Sequence, residues 1–343
     1  MAADGIGGWL RRGTFGAWAT LLTVTLVASA AWGQELRYLH VGTGPPGESQ
    51  FPMGGLIAGA ISNPPGSPPC EYGGNCGVPG VIAVATSTNG SATNAEAIGD
   101  GRLEAALAQS DVAMWAYQGA PPFEGRAVKS LRSVAQLYPD QLHVVVRRDG
   151  PIKSIRDLHG KRVSLGERGS GTLIHAKQVL TAWGLKESEI KPVYLRSAVA
   201  ADAMASGKLD ALFVVDGAPV PSVAELAKLV PIALLPLTGD GANTLRRNDP
   251  LLSLTDIPGN TYDGVAEPVP TLALEVSLIV SASLPYDLVY GMCKALWQPG
   301  TLRMLAEGQP QGGQVKLENA MTGLGLPLHP GAQKFYIDKG MIE

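Results

Sequence analysis

From residue 36 onward, short apolar runs alternate with longer stretches whose apolar residues recur at helical spacing. Residues 36–41 read as a strand that enters the turn Gly42-Thr43-Gly44, and 51–61 then read as a helix. Residues 81–85 are a second strand, followed by the polar turn 86–91 and a helix through Ala97. A third strand, 105–108, ends on Gln109, and 134–138 (closing on Tyr138) and 142–146 make two more. After the turn Asp149-Gly150-Pro151 a second series begins: a short helix at 155–158, strand 162–165, helix 173–183, strand 193–195 and helix 198–206. It continues with strand 211–215, which ends on Asp216, helix 223–229 and strand 231–237. Residues 272–280 form a return strand, and the remainder is helical. Such alternation builds parallel α/β sheets. The expected fold is therefore α/β and two-lobed, a clamp whose lobes are each a parallel-rich sheet flanked by helices. Lobe 1 takes 34–147 and 272–343, and lobe 2 takes 148–271. In open sheets of this kind ligands sit beyond the carboxyl ends of the strands. Thr43, Asn89, Gln109, Ser170 and Asp216 fall there.

The first 33 residues break this pattern. Arg11 and Arg12 precede an uncharged apolar stretch, and Ala31-Trp32-Gly33 places small residues at a cleavage position before Gln34, as in a secretory signal peptide. An uncleaved anchor is the alternative, but Thr, Ser and Gly interrupt the stretch. Export to the periplasm follows from the signal reading. In that oxidising compartment Cys70 and Cys76 are expected to pair across a short loop, with Cys293 a small buried thiol. A metal pair would need a third ligand nearby, and none is present in that loop.

Charge and motifs narrow the function. A net charge of -3 excludes a general nucleic-acid binder, which needs a basic surplus to neutralise phosphates. Gly42-Thr43-Gly44-Pro45-Pro46-Gly47 has the glycine spacing of a dinucleotide loop, but the positions some twenty residues on lack the acidic residue that would bind a ribose. Ser170 has Arg168 and Thr172 at the two-residue offsets, where a hydrolase nucleophile elbow has glycines. The five histidines are scattered and read as packed or surface residues. No metal set, cofactor or nucleophile-base pair emerges, so the expectation is binding without catalysis. Gly169-Ser170-Gly171-Thr172 opens a helix, where hydroxyls and free N–H groups either hold an anion or simply cap the helix.

Taken together, several stretches resemble the TAXI-type solute-binding proteins of TRAP transporters. They are Gly42-Thr43-Gly44, Phe51-Pro52-Met53-Gly54, Asn89-Gly90-Ser91-Ala92-Thr93-Asn94, Gln109-Ser110-Asp111, Asp157-Leu158-His159-Gly160-Lys161, Gly169-Ser170-Gly171-Thr172, Gly207-Lys208-Leu209-Asp210 and His329-Pro330-Gly331. The resemblance implies a periplasmic protein that closes on a small organic anion, a carboxylate or acidic amino acid, and delivers it to TRAP membrane permease subunits. It implies that Thr43, Ser49, Gln50 and Phe51 form a first ligand loop. Asn89, Ser91, Gln109 and Ser110 would line the same lobe, and Ser170 and Thr172 would come from the other. Tyr138 and Asp216 complete the expected ligand set. Glu48 and Gln50 depart from the family loop; Glu48 is expected to face solvent, or else to pair with an amine on the ligand. The alternatives are an exported enzyme using Asp216 and Glu275, or a ligand-sensing surface protein.

Overall fold

Two long strands organise the chain. A computed structural model describes residues 36–68, 70 and 76–343; the expected signal segment lies outside the described residues. The strands are β1 (Arg37–Gly42), β2 (Ser62–Asn63), β3 (Val78–Pro79), β4 (Val81–Thr86), β5 (Ala105–Gln109), β6 (Leu131–Arg147), β7 (Arg162–Ser164), β8 (Lys191–Val193), β9 (Ala211–Asp216), β10 (Ile232–Leu234), β11 (Ser253–Ile257) and β12 (Val269–Ser281). They form one sheet in the order β3-β2-β4-β1-β5-β12-β6-β9-β7-β8, with β10 added to β6 and β11 to β12. Strands β4, β1 and β5 are mutually parallel, as are β9, β7 and β8. β6 and β12 are antiparallel to each other and to the strands beside them, and join the two parallel sets.

Each lobe is a sheet layer between helices. Side chains alternate across a strand, and β12 shows the consequence. Leu278 packs into a core with Leu39, Met53, Ile57 and Val134, whereas Ile279 packs on the other face with Ala95, Ile98, Val112 and Ala113. The second lobe repeats this on β6: Val144 meets Val163, Val179 and Phe213, and Val145 meets Met204, Val214 and Val223. Along β6 the core changes lobes between Tyr138 and Leu142, and along β12 between Leu274 and Val276. The change-over thus lies within both strands.

The helices are α1 (Gln50–Ile61), α2 (Ser91–Gly99), α3 (Ser110–Gln118), α4 (Gly171–Ala182), α5 (Ser197–Ala205), α6 (Pro221–Leu229), α7 (Gly239–Asn248), α8 (Tyr286–Leu296), α9 (Pro299–Gly308) and α10 (Pro330–Asp338). Local chemistry sets their ends. Pro221, Pro299 and Pro330 start α6, α9 and α10, where the missing N–H goes unused. Gly119 ends α3 in the left-handed conformation with φ 75°.

Three departures from the sequence pattern have physical causes. The two strands expected at 134–138 and 142–146 are one strand, because Pro139 sits in extended backbone opposite Glu275 and forgoes only its own donor. The strand expected at 193–195 closes at Val193. Helix α7 and strand β11 were not expected; α7 buries only Gly241, Ala242 and Leu245, too little apolar repeat to read as a helix.

Cys70 and Cys76 form a disulfide, and Cys293 is a free, buried thiol on α8. Burial in this apolar core pushes the Cys293 thiol well up. Unfolded without reductant, the mature chain should therefore show one titratable thiol by thiol counting; three would refute the pairing. Opening so short a loop should cost ~2 kcal/mol and leave the fold intact.

Candidate functional site

Between β1 and α1 the chain makes a tight loop that reaches the second lobe. Gly47 has φ 96°, and its carbonyl accepts a 3.2 Å bond from the Ser222 N–H at the start of α6. A Cβ on Gly47 would lie 3.1 Å from the Ala198 Cβ, so the close approach and the left-handed backbone both call for glycine. With the loop pinned this way, Ser49 and Gln50 face the carboxyl end of β9. Asp216 there accepts from the Ser49 N–H at 2.6 Å and from its hydroxyl at 2.5 Å.

Asp140, at the change-over on β6, is wholly buried. One of its oxygens accepts from Gln50 Nε2 at 3.1 Å and from Gln109 Nε2 at 3.0 Å. Gln109 closes β5 and also donates to the Val215 carbonyl of the second lobe. Its side chain occupies the space above Gly171, where a Cβ would come within 1.6 Å of Gln109 Oε1. Only glycine at that first turn of α4 lets the two lobes meet.

Glu48 joins this group. A Cβ placed on Gly44 would lie 3.4 Å from Glu48 Oε2 and 3.6 Å from Gln50 Oε1, so both acceptors crowd one point inside the loop. The solvent-facing expectation for Glu48 is corrected: the loop is held from both ends, and the carboxyl turns inward. Burial, then the neighbouring Asp216, push Glu48 well above the usual carboxylate range, and the same two causes raise Asp140. Burial pushes Asp216 up to about 7 although Ser49 bonds to it. Tyr138 is buried beside them and rises through burial and the field of Asp140.

The other expected site residues are mostly committed elsewhere. The Thr43 hydroxyl donates to the Gly44 and Thr86 carbonyls. Phe51 is half-buried on α1. The Ser91 hydroxyl accepts from the Gln109 N–H, and Ser110 bonds Ser277. Asn89 bridges the lobes at the rim, donating to the Arg168 carbonyl and accepting from Arg196, which also holds Glu167 at 2.8 Å. The Ser170 hydroxyl donates to the Glu167 carbonyl and accepts from the Leu173 N–H, so it is an N-cap; it lines a separate groove with Phe123, Arg126 and Lys177. The Thr172 hydroxyl accepts from the Val215 N–H and ties α4 to β9. Of the expected set, Ser49, Gln50, Gln109, Tyr138 and Asp216 come together; Asp140 and Glu48 are the additions.

A second buried cluster joins α3 to α4. His175 Nε2 lies 2.7 Å from Asp111 Oδ2, its Nδ1 lies 2.8 Å from the Gly171 carbonyl, and Asp249 completes the group. Burial alone would lower His175, but Asp111 outweighs it and leaves the imidazole raised. Burial and then Asp111 push Asp249 up to about 7. The three ligand atoms lie within 4.8 Å of one another and could in principle hold a cation. The 2.7 Å contact already serves as a buried ion pair.

Raised acids fix the sign of the pH dependence. Glu48, Asp140, Asp216 and Asp249 hold protons more tightly folded than unfolded, so their contribution is full at acidic pH and is lost as pH rises, for Asp216 and Asp249 through about 7. Without solute, the melting temperature should fall between pH 5 and pH 8. At ~1.4 kcal/mol per unit, Asp216 alone contributes about 2–3 kcal/mol to that fall. Asp216→Asn should flatten the profile in a thermal scan; an unchanged slope would refute the assignment. Ser170→Ala should cost ~1 kcal/mol of stability through the lost cap and leave solute affinity as it was.

The alkanesulfonate-binding protein SsuA from Xanthomonas axonopodis pv. citri, bound to MOPS, is similar at 16% identity over 88% of this chain and 84% of that one, with a TM-score of 0.47. The periplasmic aliphatic sulphonate binding protein SsuA from Escherichia coli is similar at 16% identity over 90% and 94%, with a TM-score of 0.43. The substrate binding protein of an amino acid ABC transporter is similar at 15% identity over 81% and 96%, with a TM-score of 0.44. The model of the NMT1-like family matches residues 41–340, most of the chain, and the protein belongs to that family.

Proposed function

We propose that the protein is a solute-binding subunit of an importer, exported to the periplasm, which holds a small solute between its lobes without transforming it. The observation that carries this reading is the convergence of Ser49, Gln50 and Gln109 from one lobe with Asp216 from the other, around Asp140 where β6 passes between them. These groups lie at the carboxyl ends of β1, β5 and β9, where α/β sheets place ligands. The same residues bond directly across the lobes, so a solute enters only when the lobes part. β6 and β12 are the two connections at the change-over, and we place the hinge at 139–141 and 274–276. The lobes then comprise 36–140 with 275–343, and 141–274.

The sequence motifs favour a TRAP permease as the membrane partner. One of the similar structures is named for an ABC transporter, and co-purification with the membrane subunits of either type decides between them. Solution scattering tests the binding reading itself. The radius of gyration should fall, and the melting temperature rise, on adding the cognate solute, by about 2.7 kcal/mol of stability at ~100-fold excess over the dissociation constant. Conversion of the bound solute to a new compound would instead support the enzyme alternative and overturn the reading.

A further inference from the structure

The meeting of the buried carboxyls of Asp140 and Asp216 with the inturned Glu48, beside buried amide oxygens that have no donor, leads us to infer that the cleft takes a small organic cation bearing several N–H groups, an ammonium or guanidinium compound, and not a free carboxylate. This deepens the solute-binding reading and rests on it.

The inventory of hydrogen-bonding atoms points the same way. Gln50 and Gln109 both donate to Asp140 through Nε2. Their Oε1 atoms lie elsewhere, that of Gln109 against the Gly171 backbone and that of Gln50 in the loop beside Glu48. Gln50 Oε1, Gln109 Oε1 and Asp140 Oδ1 are buried with no hydrogen-bond partner, as is the Tyr138 hydroxyl. Buried polar atoms are ordinarily paired, and leaving one unpaired costs ~1–3 kcal/mol. The two amide oxygens can only accept, and Asp140 Oδ1 only accepts once the carboxyl is ionised. A ligand that satisfies them must donate, and from several positions.

Charge adds a second argument. Glu48 lies in the fields of Asp216, Asp140 and Glu167, and Asp140 lies in those of Asp216 and Glu275. The cations at the rim are Arg196, bonded to Glu167 and Asn89, and Arg168, whose guanidinium lies 4.3 Å over the Tyr194 ring. Neither is bonded to the inner carboxyls. A second anion would enter against like charges, whereas an ammonium or guanidinium would neutralise them. The carboxylate expected from family resemblance is thus replaced, on this chain's own residues, by the amine foreseen as the other possibility for Glu48.

Calorimetry on the mature chain separates the possibilities, with spermidine, putrescine, arginine and agmatine as N–H-bearing cations, choline as a cation without N–H, and succinate as a plain carboxylate. At least one N–H-bearing cation should bind and close the lobes in solution scattering, with choline at least about tenfold weaker. Its affinity should rise about tenfold from pH 6 to pH 8, as Glu48, Asp140 and Asp216 give up protons to the cation. Glu48→Gln should weaken that cation about tenfold or more and leave the melting temperature without solute unchanged or higher. Closure by succinate alone, weakening as pH rises and tightening in Glu48→Gln, would overturn the cation class while leaving the solute-binding reading standing. Equal binding of choline would overturn the donor requirement. Closure by no solute of any charge would overturn the binding reading itself.

Discussion

A carboxylate taken out of water without a cation must find donors, take up a proton or acquire a charged partner. The cost of doing none of these is several kcal/mol per ion. The core of this cleft is arranged around that constraint. Ser49 supplies two donors to Asp216, and Gln50 and Gln109 supply two to a single oxygen of Asp140. Glu48 draws on the Ser197 hydroxyl, and Asp140 Oδ1 is left unpartnered. With the lobes together and no solute, protons make up the remainder, which is why these groups titrate upward in company.

The geometry follows from the two long strands. Because β6 and β12 run through both lobes, Asp140 is held in the sheet and not on a loop. What closure changes is everything that reaches it. Gln50 and Ser49 arrive on the loop pinned at Gly47 and Ser222, and Gln109 is admitted by the bare backbone of Gly171. Farther out, Asn89 with Arg168, Thr93 with Gly169 and Asp111 with His175 close the seam between α2, α3 and α4. The lobes thus meet through polar contacts placed around the buried acids, and such contacts can exchange with water when the lobes part.

Much of this fold could be read from periodicity, since strands such as Ala105–Gln109 and helices such as Gln50–Ile61 carry local signals of their own. The site was legible only in part. Gln109 and Asp216 end strands, and strand ends point to ligands. Asp140 was invisible because Pro139-Asp140 reads as a turn between two strands, whereas neighbouring strands hold it in one. Ser170 is the converse case: a helix-start hydroxyl suits capping and binding equally, and the structure gives it the capping bond from the Leu173 N–H. Asp111 and His175 lie 64 residues apart, a pairing that no local pattern encodes. Thr43 and Thr172 fall at family positions, yet their hydroxyls are spent on backbone.

The protons that stabilise the closed cleft also set what a solute must do to enter it. A neutral solute would leave them in place and gain only hydrogen bonds. An anion would need still more of them. A cation displaces them, and by linkage every proton released on binding ties its affinity to pH. His175 and Asp249 lie outside the cleft on the α3–α4 seam, but both also hold protons more firmly in the folded chain. Acidity therefore favours the folded chain without solute at both places. Rising pH withdraws protons from the seam and the cleft together, so the condition that costs the solute-free fold stability is also the one in which the carboxyls are ready for a cation.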